Sequence, residues 1–246
     1  MKAMGATARA ALLGAALLGG CTLVLGDRPN PCARPNAVCE DFEHAIAKPL
    51  TSSTIRAVAQ PDSNRAHGGS RSLHIDLQAA DGMASTSGVV GLARTPAQLG
   101  EGFWVRAYVY MEGPLPTNDV VLFDAERGKG AGSAGLRVSG KDHAVEIHNY
   151  LDGDPVAAHF ANLSAFIRPD AWACVRWHVP IGKQATIAGG VGATLSPETV
   201  VFDTVFDTPI EELFLGATVL DRGVDVAHSV WIDDLVIADE DPGCTD

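Results

Sequence analysis

Apolar and polar residues alternate over short runs through most of this chain, and Gly, Pro, Asn and Asp cluster between the runs. In residues 70–77, Leu73, Ile75 and Leu77 alternate with Ser72, His74 and Asp76. The clearest run covers residues 103–111. Phe103, Val105, Ala107, Val109 and Met111 fall on one side, and Trp104, Arg106, Tyr108 and Tyr110 on the other. Residues 120–124, 135–139, 144–150, 172–179, 213–218 and 229–238 follow the same rule, and residues 38–43 form a short edge-like run. Successive side chains of a strand point to opposite faces, so a two-residue period predicts strands with one buried face. Helical periodicity is scarce; residues 162–166 fit one turn. Many short strands punctuated by Gly and Pro predict an all-β fold, a two-sheet antiparallel jelly-roll sandwich. No internal repeat or linker divides the chain after residue 38, so residues 38–246 read as one domain.

Composition narrows the partners. Of 246 residues, 46% are apolar and 20% charged, which excludes a wholly disordered chain. Lys and Arg number 18 against 30 Asp and Glu, a net charge of −12. The first twenty residues hold Lys2 and Arg9 and no acid, so the remainder carries 16 against 30, or −14. Such a body repels phosphates, which argues against nucleic acid as a partner.

The N-terminus reads as an export signal. Lys2 and Arg9 precede an apolar run over residues 10–18, too short for the ~20 residues that span a bilayer. The run ends Leu18-Gly19-Gly20-Cys21, which resembles the lipobox of bacterial lipoproteins. That resemblance implies removal of residues 1–20 and acylation of Cys21, which would tie the protein to a membrane of the bacterial cell envelope. An ordinary secretory signal with a chance Cys is the alternative. Thr22, in place of Asp, resembles outer-membrane sorting. Residues 21–37, with Pro29, Pro31 and Pro35, read as an extended tether. Four further cysteines, an even number, suit an oxidising compartment and allow three pairings. The favoured one joins Cys32 to Cys39 and Cys174 to Cys244, closing a short loop and pinning the C-terminal tail. A cysteine metal site lacks the usual close spacing.

Several motifs, taken in order, resemble the concanavalin A-like lectin/glucanase (laminin-G-like) jelly rolls of bacterial surface proteins. They are Cys39-Glu40-Asp41-Phe42-Glu43, His67-Gly68-Gly69-Ser70-Arg71-Ser72-Leu73-His74-Ile75, Phe103-Trp104-Val105-Arg106, Trp172-Ala173-Cys174-Val175-Arg176-Trp177, Leu213-Phe214-Leu215-Gly216 and Trp231-Ile232-Asp233-Asp234-Leu235-Val236-Ile237. The resemblance covers most of residues 38–244. It implies a convex and a concave sheet, with sugar or protein ligands on the concave face or its rim. A galactose-binding-like jelly roll shares the acidic first and last strands and is the near alternative.

Four constellations carry candidate chemistry. Trp104, Arg106, Tyr108 and Tyr110 share one strand face, with His148 and Tyr150 as further ligand contacts. Rings stack on sugar faces, and guanidinium offers a planar fork to hydroxyls or carboxylates. The competing reading makes these rings a covered sheet face. Glu146-Ile147-His148 is similar to the Gln-Ile-His motif of alginate-lyase-like proteins. By that resemblance Arg106 would neutralise a uronate, Glu146 would stand where Gln belongs, and His148 would be the base. Glu in that place opposes β-elimination, which needs the uronate charge suppressed. Asp124-Ala125-Glu126 has the spacing of a glycosidase pair but leads into a glycine loop. Glu40, Asp41, Glu43, Asp233 and Asp234, with Asp62, Asn64 and the carbonyls near Gly68, suit a structural calcium ion. Turn and edge-strand charges are the plain alternative. The sequence therefore predicts an envelope lipoprotein with a lectin-like sandwich that binds glycan or protein. A polysaccharide-cleaving enzyme of the same fold and a purely structural envelope protein are the competing readings.

Overall fold

The computed structural model describes residues 30–46, 50–79, 86–93, 102–126, 132–151, 159–180, 184–187, 189–192, 194–195, 200–203, 210, 212–219 and 227–244. Residues 1–20, read as an export signal, and Cys21 and Thr22 lie outside the described residues.

In chain order the strands are β1 (Val38–Glu40), β2 (Leu50–Ile55), β3 (Ala57–Asp62), β4 (Ser72–Leu77), β5 (Thr86–Ala93), β6 (Gly102–Met111), β7 (Val120–Glu126), β8 (Gly132–Val138), β9 (Ala144–Leu151), β10 (His159–Phe166), β11 (Trp172–Pro180), β12 (Gln184–Ile187), β13 (Gly189–Val191), β14 (Thr194–Leu195), β15 (Val200–Asp203), β16 (Glu212–Val219) and β17 (His228–Ala238). The first sheet runs β14-β13-β11-β6-β17-β4-β3, with β1 also on β17. The second runs β10-β9-β8-β7-β16-β5-β2, and β12 pairs with β15. The ladders are antiparallel. The expected sandwich is what forms.

The core lies between the two sheets. Phe103, Val105, Ala107, Val109 and Met111 of β6 are fully buried, as their alternation predicts. Val230, Ile232, Leu235 and Ile237 of β17 join them, facing Phe123, Leu136, Val145, Leu213 and Leu215 of the second sheet. Trp177 of β11 stacks on Phe123 of β7 across the gap, ring centroids 6.4 Å apart. A register shift at Asp233–Val236 interrupts β17, where Asp234 takes φ 50. Asp tolerates this left-handed geometry better than most residues. The shift lets Ile232 and Leu235, three apart, both face the core.

Where expectation and structure part, tertiary pairing is the reason. Residues 162–166 belong to strand β10, paired with β9, instead of a helical turn. Strand β2 escapes the two-residue pattern as the last strand of its sheet, and β3, last in the other, alternates with only the small Ala57 and Ala59 facing the core. In β2 only Leu50 is buried. Strand β3 contains Pro61, which an edge strand accepts because it forms no ladder bond on its free side. Residues 30–37, expected as the end of an extended tether, are docked. They carry a 3-10 turn (Pro31–Ala33), and the Arg34 guanidinium donates to Asp239 at 3.2 Å and Glu240 at 2.5 Å. The disulfides are Cys32–Cys39 and Cys174–Cys244.

Candidate functional site

Among the described residues an open cleft lies on the outer face of the second sheet. In β16 the residues Leu213, Leu215, Ala217 and Val219 are buried, which turns Phe214, Gly216 and Thr218 outward. In β7 the register shift between Val121 and Phe123 absorbs Leu122, so Val121, Asp124 and Glu126 share that outer face. Ser53 and Ile55 of β2, Ser87 and Val89 of β5, and Ser133 of β8 complete the wall of a cleft of about 400 Å³.

Two glycines shape its floor. Gly91 lies opposite Phe214, and a Cβ on it would sit 3.3 Å from two carbons of the Phe214 ring, so the ring lies along the glycine backbone. A Cβ on Gly216 would fall 2.2 Å from the Gly88 carbonyl oxygen and 2.7 Å from Val89 Cα, so β5 and β16 approach this closely only with glycine there.

The polar wall is acidic and hydroxylated. Glu126 stands opposite Glu212, and Asp124 opposite Phe214. Burial, and then the charges of Asp124 and Glu212, push the Glu126 carboxyl above its usual range. The Ser87 and Thr218 hydroxyls are 2.7 Å apart. An aromatic platform amid hydroxyls and carboxylates matches the two sides of a sugar, apolar C–H faces and a polar rim. Asp124 and Glu126 also place two carboxyls two residues apart on this one strand face, and a carboxyl pair is what glycoside hydrolysis requires.

The residues singled out from sequence lie elsewhere. Arg106, Tyr108 and Tyr110 do point away from the core, but their face is covered. His67 stacks on Tyr108 at 3.5 Å, and Arg65 lies 4.4 Å above the Tyr110 ring. The Tyr110 hydroxyl is 3.2 Å from Asp170, and the C-terminal tail covers Arg106. Trp104, half-buried, keeps His178 beside it at 5.0 Å. The expectation of an open ring-lined surface is therefore corrected, because the loop before β4 and the tail supply the partners a ligand was expected to supply. The lyase-like trio does not meet either. Arg106 is in β6 of the first sheet and Glu146 in β9 of the second, with the core between them. Glu146 is instead held by Arg137, at 2.9 and 2.8 Å, and Arg137 also reaches Asp119 at 2.7 Å. His148 and Tyr150 occupy β9 positions opposite Gly135 and Ser133. Their side chains lie outside the described residues.

The proposed calcium carboxylates meet N–H groups. Glu40 accepts from Phe42 N at 2.9 Å and Asp41 from Glu43 N at 3.1 Å. Glu43 accepts from Ser70 N and Oγ, both at 2.6 Å, and from Arg71 N at 2.9 Å. Asp233, fully buried, accepts from His67 N at 2.8 Å, Gly68 N at 3.1 Å and Asp234 N at 2.8 Å. Burial pushes the Asp233 carboxyl up to about 6 against those donors. Asp234 faces His67 Nδ1 at 2.8 Å. Asp62, read as a further ligand, faces His74 Nδ1 at 2.8 Å. Among the described residues no three His, Cys, Asp or Glu side chains group to hold a metal ion. Glu43, Asp233 and Asp234 do converge, on the loop that covers Tyr108. Phe214 is the residue that sequence reading missed as a contact. Its signal was present, as the one ring at an outward position of residues 213–218.

No protein-family model matches the chain, and no curated protein is similar to it in sequence. Solved structures are similar in fold. A cellulose-induced protein, Cip1, superposes with a TM-score of 0.61 at 16% identity, over 85% of this chain and 100% of that one. The endo-β-1,4-glucuronan lyase of the fungus Trichoderma reesei gives 0.58 at 12%, over 82% and 94%. Alginate lyase vAL-1 from Chlorella virus gives 0.54 at 9%, over 73% and 89%.

Proposed function

We propose that this chain is a carbohydrate-binding sandwich of the bacterial envelope, tethered through an acylated Cys21, which holds a glycan in the cleft on its second sheet. The observation that carries the reading is the Phe214 platform over Gly91, set among Ser53, Ser87, Ser133 and Thr218 in a cleft of about 400 Å³. That volume is enough for a short saccharide. The charged groups on the described wall are Asp124 and Glu126, so the favoured ligand is a neutral glycan, because a uronate would meet like charge. The names of the similar structures, a cellulose-induced protein and lyases of glucuronan and alginate, support a polysaccharide context.

Titration with neutral polysaccharide fragments should show binding that Phe214→Ala weakens by about tenfold or more, the loss of one central aromatic contact. Equal affinity of both proteins would remove the cleft reading. Glycoside hydrolysis is the second reading, favoured by Asp124 and Glu126 sharing the cleft face and by the raised Glu126 carboxyl. Reducing ends released in the same mixtures, and lost in Glu126→Gln, would establish it. The anchor has its own measurement. The full chain should fractionate with membranes when expressed in a bacterium, and Cys21→Ser should release it; a membrane-bound variant would rule out the lipid at Cys21.

A further inference from the structure

Arg106 of β6 and Arg176 of β11 are direct register partners on neighbouring strands. Both turn away from the core, whose inner positions are taken by Val105, Ala107, Val175 and Trp177. Both are nevertheless buried, 8% and 4% exposed. Like charges directly opposite on a sheet repel, and a buried guanidinium needs counter-charge and acceptors. The tail, residues 239–244, supplies part of both. The Asp241 carboxylate accepts from Arg176 Nη1 at 2.6 Å, and the Gly243 carbonyl accepts from Arg106 Nη1 at 3.4 Å. Backbone carbonyls of Asp234 and Gly192 take the two Nη2 groups at 3.2 and 3.3 Å. Both Nε groups are buried with no hydrogen-bond partner among the described residues. The tail thus offers this guanidinium pair one carboxylate, bonded to Arg176, while Arg106 bonds only carbonyls among the described residues, and two Nε donors stay unused. Paired planar forks are the arrangement that recognises carboxylate and sulfate groups.

We propose that Arg106 and Arg176 form a binding site for a small oxyanion, a carboxylate or sulfate of the kind an acidic sugar carries, and that Asp241 fills it as an internal ligand. The Asp241 side chain is 30% exposed, so the position it holds is reachable from solvent. Its other oxygen accepts from Gly243 N at 2.9 Å, which shapes the tail so that the carboxylate faces Arg176. Trp104 and its neighbour His178 lie two register positions from the arginine pair, on the same face, giving a sugar ring an aromatic wall. This site is independent of the cleft, which lies across the core on the other sheet.

The test uses Asp241→Ala in the oxidised protein, where the Cys174–Cys244 bond keeps the tail attached. Calorimetric titration at low ionic strength with sodium sulfate and with glucuronate should show Asp241→Ala binding at least about tenfold tighter than the unaltered chain. Adding Arg176→Ala should abolish the gain. A folded Asp241→Ala protein with no gain overturns the proposal. Should that variant fail to fold, Asp241→Asn keeps the side-chain size while removing the charge, and the same gain or its absence decides. Tighter binding of glucuronate than of sulfate supports an acidic sugar as the source. Equal or tighter binding of sulfate overturns the sugar as the source.

Discussion

Replacing Cys174 and Cys244 with serine is expected to lower folding stability by about 4 kcal/mol, in the chain-entropy treatment of cross-links. The two residues are 70 apart in sequence, so the bond removes much of the unfolded chain's freedom. The same treatment gives only about 2 kcal/mol for Cys32–Cys39, whose separation is 7. Urea unfolding of the two serine pairs, read at unchanged slope, measures both losses. A loss under about 1 kcal/mol for the longer bridge would mean that other contacts already fix the tail. Those contacts are few. Arg176 holds Asp241, Arg106 holds Gly243, and Arg34 holds Asp239 and Glu240. The Arg34 pairs are partly exposed, and exposed pairs contribute little. The bridge should therefore be the main restraint on the segment covering Arg106, and its loss should also speed proteolysis of residues 239–244.

Trp177→Ala is expected to cost about 4 kcal/mol, within the range for removing a fully buried large ring. Trp177 has no exposed surface and reaches from the first sheet to Phe123 of the second, with planes 11° apart. Alanine would leave a hole between two sheets held apart by their own ladders, which cannot close over it. The Trp177 Nε1 group has no hydrogen-bond partner among the described residues, so Trp177→Phe deletes no polar contact seen there and should retain most of the stability. Thermal and urea unfolding of the two variants separate these effects. Equal losses for Ala and Phe would show that ring size, and not ring stacking on Phe123, is what the site demands.

Half of the picture follows from local pattern. Residues 103–111 alternate without a break, and β6 buries every residue that the alternation assigns to the core. Residues 229–238 sit in the last strand, which does pair with the first, Val38, Cys39 and Glu40 opposite Ile237, Val236 and Leu235, while Asp233 and Asp234 turn to the loop of His67 instead. Strands with one apolar face are legible because each residue's side is set by its parity. Edge strands such as β2, with polar residues on both faces, carry no such signal. Neither does β10, whose backbone is satisfied by β9 and not by a turn of its own.

The site was less legible, and for one reason. Parity tells which residues leave the core, but not what lies above them. Trp104, Arg106, Tyr108 and Tyr110 were correctly placed on the outer side of a strand. Whether that side met a ligand depended on where residues 65–71 and 239–244 come to rest, and neither segment has a period to read. The carboxylates of Glu43 and Asp233 illustrate the same point, since they hold the covering loop through its N–H groups.

The sequence by itself determined the all-β class and the inward face of the long strands, because each rests on neighbours a few residues apart; counting left three cysteine pairings open, and the structure holds the favoured one. Only the tertiary structure decided which sheet face stays open. That choice rests on contacts between segments far apart in the chain, the tail against β11 and the loop of His67 against β6, and on the bare backbone of Gly91 that gives Phe214 its seat.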